Sequence, residues 1–68
     1  MNVLANEKLS ELESKAGVLS DEIEKLEQAL ETETNSKKTE DIQSKLELLS
    51  AELEEITEEI SEIQESMQ

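Results

Sequence analysis

The sequence predicts an all-α protein, an antiparallel two-helix coiled-coil hairpin. Three observations carry that prediction. Two stretches hold apolar residues at alternating steps of three and four, the heptad spacing that keeps an apolar seam on one side of a helix. A wholly polar stretch, residues 31–41, separates them. The composition has no aromatic residue and no proline, and Glu, Leu, Ser, Ile and Lys dominate it, which is coiled-coil usage.

The first run is Ala5, Leu9, Leu12, Ala16, Leu19, Ile23, Leu26 and Leu30, and it predicts a helix over about residues 3–33. Ala16 and Gly17 form a thin spot in it. Glycine costs about 1 kcal/mol relative to alanine inside a helix, and Ser20-Asp21-Glu22 would cap a restarted helix. A break would therefore fall at Gly17, but the heptad phase runs through it without error.

The second run is Ile42, Leu46, Leu49, Leu53, Ile56, Ile60, Ile63 and Met67, and it predicts a helix over about residues 39–66. Its phase does not continue the first. One unbroken helix would put Glu33, Lys37, Glu40, Ser44 and Glu47 on the seam, a series of polar layers that burial disfavours. A turn near residues 34–38 avoids this. Thr34, Asn35 and Ser36 favour turns and caps. Asn35 is expected to end the first helix in the left-handed conformation. Thr39 is the expected N-cap of the second, because Glu40 and Asp41 follow it, with Ser36 as the rival. No glycine or proline marks the turn, so its edges are soft. Folding the chain about Ser36 sets Leu30 opposite Ile42, Leu19 opposite Leu53 and Ala5 opposite Met67, and residues 1–68 read as a single helical hairpin.

Flanking charges do little to select this pairing. Lys15 is expected to approach Glu59 favourably, whereas Glu22 meets Glu52. Leu4, Val18 and Leu48 fall outside the seam at heptad position c, and Ala29 at g. In an antiparallel hairpin these positions share one face, so the four are the candidate partner-binding residues. Scattered exposed apolar residues are also common on any protein surface.

The chemistry of catalysis is missing. There is no histidine or cysteine to serve as base, thiolate or imidazole ligand, no glycine-rich phosphate loop and no calcium-loop spacing. The carboxylates lack a pocket that would desolvate one of them. The sequence thus predicts a non-enzymatic chain with no catalytic residue, cofactor or metal.

Nineteen acids against six lysines give a net charge of -13. Direct contact with nucleic acid or an anionic membrane is disfavoured, and a charged partner should be basic. After Lys45 come Glu47, Glu52, Glu54, Glu55, Glu58, Glu59, Glu62 and Glu65 with no base among them. In charge and shape alone this acidic rod resembles the small phage-type inhibitors that mimic DNA. That resemblance implies occupation of a basic protein's nucleic-acid-binding site. The plainer expectation is a solvated helix exterior, for which Glu is a common residue, on a structural or adaptor coiled coil that binds another protein. A chain this short, with no disulfide and no aromatic residue, buries little area, which predicts either a dimer of hairpins or dependence on a partner. The first residues lack a basic and apolar leader and no apolar run is of spanning length, so the expected location is the cytoplasm.

Overall fold

The computed structural model describes residues 3–67. It contains α1 (Val3–Thr32) and α2 (Ser36–Ser66), of 30 and 31 residues, joined by a three-residue turn. At about 1.5 Å per residue each helix is roughly 45 Å long. The whole molecule measures 53 × 14 × 13 Å. Two such helices fit that length only side by side, and a three-residue turn then forces them antiparallel. The chain is a helical hairpin.

Burial follows the heptad pattern. Leu12 and Leu19 are buried, at 3% and 9% exposure. Ala5, Leu9, Ala16, Ile23, Leu26 and Leu30 on α1 are half-buried, as are Ile42, Leu46, Leu49, Leu53, Ile56, Ile60 and Ile63 on α2. A residue on a two-helix seam has one neighbouring helix and solvent at both flanks, so partial burial is the geometric norm. Met67 is the exception: it lies beyond the last residue of α2 and is exposed. Glu33 and Thr39 are half-buried as well. Glu33 stands three residues after Leu30 and Thr39 three residues before Ile42, so the two extend the apolar stripe as a polar layer at the closed end.

The turn differs from the sequence expectation. It comprises residues 33–35, and α2 begins at Ser36, three residues before the expected start. Asn35 is the N-cap, with extended backbone at φ -84° and ψ 122°. Its Oδ1 accepts a hydrogen bond from the Lys38 N–H at 3.1 Å, and its carbonyl accepts from the Thr39 N–H at 2.9 Å. No non-glycine residue among those described has positive φ, so no left-handed residue ends α1. Instead the Glu33 N–H donates to the Ala29 carbonyl at 3.0 Å, and Glu33 Oε1 accepts from the Asn35 N–H at 3.1 Å. One glutamate thus finishes the first helix and orients the residue that caps the second. Lys37 and Lys38 lie in the first turn of α2, where the helix dipole disfavours cations. The carboxyl end of α1, immediately across the turn, carries the opposite partial charge.

Gly17 does not interrupt α1. A Cβ built there would have nothing within 4 Å, so the glycine serves no close approach.

Candidate functional site

The seam consumes the heptad leucines and isoleucines. What it leaves over is the candidate site. Val18 is 58% exposed and Leu48 is 66% exposed, although both sit in the middle of their helices, where the neighbouring leucines and isoleucines face the seam. Val18 follows from helical geometry: it is adjacent to the buried Leu19 in sequence and so points about 100° away from it. Leu48 stands in the same relation to Leu49.

Each of these residues borders an open groove between the helices. The larger, of about 540 Å³, is lined by Ser14, Lys15, Val18 and Leu19 of α1 with Glu52, Glu55 and Ile56 of α2. The smaller, of about 330 Å³, is lined by Glu22, Lys25 and Leu26 with Lys45, Leu48, Leu49 and Glu52. Glu52 belongs to both, so the two grooves adjoin on one face near the middle of the rod. Their floors are seam residues, their rims are charged, and one exposed apolar side chain projects beside each.

The four apolar residues singled out by the sequence separate here. Val18 and Leu48 come together on this grooved face. Leu4 is 77% exposed and stands two heptads from Val18, roughly 21 Å along the helix, toward the open end of the hairpin. Ala29 is exposed and lines neither groove. The heptad letters place Lys15, Glu22 and Glu52 on the flank of the seam but do not gather them with Lys25, Lys45 and Glu55 into one charged rim. Its signal was legible, since these residues occupy the same c and g positions as Val18 and Leu48.

Glu47, Glu52, Glu54, Glu55, Glu58, Glu59, Glu62 and Glu65 are all exposed, but they spread around α2. Glu52 and Glu55 rim the grooved face, whereas Glu54 and Glu58 line a shallower groove on the opposite flank with Ile23, Ser50, Leu53 and Thr57. Lys15 pairs with Glu11 on its own helix, Nζ to Oε1 at 3.9 Å, rather than with Glu59. Both partners are more than half exposed, so the pair contributes only a few tenths of a kcal/mol. Helix geometry sets four-residue neighbours about 6 Å apart before any tertiary contact forms, which favours this local pair over the cross-helix one.

Among the described residues no cluster of three or more carboxylates is arranged to hold a metal ion, and no helix is long and apolar enough to cross a membrane. Comparison with known proteins finds no matching family model, no matching curated protein and no matching solved structure. The reading of the site accordingly rests on its own geometry.

Proposed function

We propose that the protein is a non-enzymatic coiled-coil module, structural or adaptor in role, that holds another protein chain through the face carrying Val18 and Leu48. The observation that supports this is the pairing of each exposed apolar side chain with an adjoining open groove. A branched apolar residue beside a shallow apolar-floored groove with a charged rim has the make-up of a helix-docking surface, with an apolar centre and a polar margin. A rod whose grooves lie open to solvent, in a chain with no imidazole or thiol, offers little to a small substrate, and the reading assigns no catalytic role. An acidic chain without cysteine suits the reducing cytoplasm, which is the proposed place of action.

A photo-crosslinking residue at Val18, compared with one at Ala51 on the far side of α2, tests the reading. The expected result is a protein adduct from position 18 that high salt leaves intact, with none from position 51. Adducts of equal yield from both positions would contradict a specific face.

A second reading, an acidic inhibitor that covers the nucleic-acid-binding site of a basic protein, is favoured by one observation. Glu54 and Glu58 line the flank opposite the grooved face, and no lysine lies in that groove. Adducts from position 51 that added DNA competes away would support this reading over the first.

A further inference from the structure

We propose that the chain held at the grooved face is a second copy of this one, so that two hairpins pack their Val18 and Leu48 faces together as a four-helix bundle. The inference rests on the reading of that face as an interaction surface and names its partner.

Three observations lead to it. The first is charge. The chain as a whole carries -13. The rim of the two adjoining grooves carries Lys15, Lys25 and Lys45 against Glu22, Glu52 and Glu55, three of each sign. This is an electrically balanced patch on a strongly acidic molecule, and it is where half of the chain's six lysines gather. A strongly basic partner would meet those lysines here and would find a better surface on the lysine-free opposite flank. An acidic partner would be repelled by the rest of the rod. A surface of mixed sign suits a copy of itself, because lysines and glutamates of one copy can face their opposites on the other. Packing by this face also turns the flank bearing Glu54 and Glu58 outward in both copies.

The second observation is area. The molecule exposes 5327 Å² at a mass of 7.7 kDa. A compact monomer of that mass exposes about 4,300 Å² by the scaling of surface with size. The surplus, roughly 1,000 Å², is comparable with the ~800 Å² that each partner contributes to a standard stable interface. It belongs to a thin rod of 53 × 14 × 13 Å in whose seam only Leu12 and Leu19 are buried. The third observation is shape. A two-fold interface requires one patch to offer both projection and recess. Here Val18 stands beside one groove and Leu48 beside the next, so each copy supplies apolar knobs and the openings to receive them.

Sedimentation equilibrium of the full chain in about 0.15 M salt, where charges farther apart than ~8 Å are largely screened, tests the proposal. The expected mass rises with concentration from 7.7 kDa toward twice that value. Raising the salt should strengthen the association, since two acidic rods must approach, whereas a complex with a basic protein would weaken. A Val18→Glu/Leu48→Glu variant should remain monomeric with its helical circular dichroism intact, because both side chains are exposed in the hairpin. Val18→Ser/Leu48→Ser guards against unfolding by the added charge and should also remain monomeric. Ala51→Glu, on the far side, should associate like the parent chain. A monomeric mass across the concentration range, or association of both double variants at parental strength, overturns the proposal. A monomer that still gives the position-18 adduct with a different protein would overturn self-association alone and leave the interaction face standing.

Discussion

Replacement of seam residues by alanine offers a graded test of the hairpin's energetics. Leu→Ala deletes three carbons, and each buried CH₂ contributes about 0.8 kcal/mol, so full burial predicts a loss near 2.4 kcal/mol before any cavity term. Leu12, at 3% exposure, lies outside the grooves and should suffer a partial cavity penalty as well, for a total of about 3 kcal/mol. Leu19, at 9% exposure, floors the larger groove, where neighbours and water can relax into the space. Its loss should stay close to the transfer value, about 2.5 kcal/mol. Leu53 keeps most of its surface buried but borders the opposite groove, so roughly three-quarters of the transfer value applies, about 1.8 kcal/mol. Glu58→Ala, at an exposed outer position, should change stability by less than about 0.5 kcal/mol. At about 7 °C per kcal/mol for a domain of this size, the falls in Tm are ~20, ~17, ~13 and under ~4 °C. Melts followed by circular dichroism at 222 nm, all at one protein concentration so that association is held constant, provide the readout. A Leu53→Ala loss equal to that of Leu12→Ala, or a Glu58→Ala loss approaching either, would refute the burial order on which the reasoning depends.

Further perturbations address the helix interior, the turn and the net charge. Gly17→Ala should raise the stability by up to about 1 kcal/mol, since the new methyl meets nothing and the unfolded chain loses freedom; an unchanged or lowered Tm contradicts an unbroken helix there. Asn35→Ala should cost about 1 kcal/mol and speed amide exchange at Lys38, whereas Asn35→Asp, which keeps an accepting side-chain oxygen, should cost little; equal losses would mean that the cap is not the side-chain oxygen. Raising the salt from ~0.02 to ~0.3 M should raise the Tm, because screening relieves repulsion within a chain of net charge -13; a falling Tm would indicate that attractive pairs dominate instead.

Most of the fold was legible because a heptad repeat constrains every third or fourth residue, and errors in such a pattern are hard to hide. The turn was less legible for a physical reason. Thr34, Asn35, Ser36 and Thr39 all have side chains able to cap a helix, and the acids after Thr39 made it the favoured choice on dipole grounds. The chain instead uses Asn35 and tolerates Lys37 and Lys38 in the first turn, with the end of α1 close by. Glu33 and Thr39 also hid their part in the seam, since a residue type gives no sign that a polar layer closes the hairpin. Nor could periodicity rank the seam residues: Leu19 and Leu53 were expected as one equivalent layer, yet among the described residues the buried ones, Leu12 and Leu19, both belong to α1. At the candidate site, position c located Val18 and Leu48, while the grooves beside them depend on side-chain packing that heptad letters do not encode.

The central claim, that the chain turns back on itself at residues 33–35 and aligns α1 with α2, is tested most directly by one distance. Ser10 and Ser61 are exposed and lie at similar distances from the turn, so cysteine and a nitroxide label at each should leave the seam untouched. Double electron–electron resonance on labelled chain diluted with an excess of unlabelled chain removes signals between copies. With packed helices about 8–10 Å apart and two label arms, the hairpin predicts a separation of about 20 Å. A single continuous helix would set the same residues roughly 77 Å apart, and a distance anywhere near that value would contradict the account.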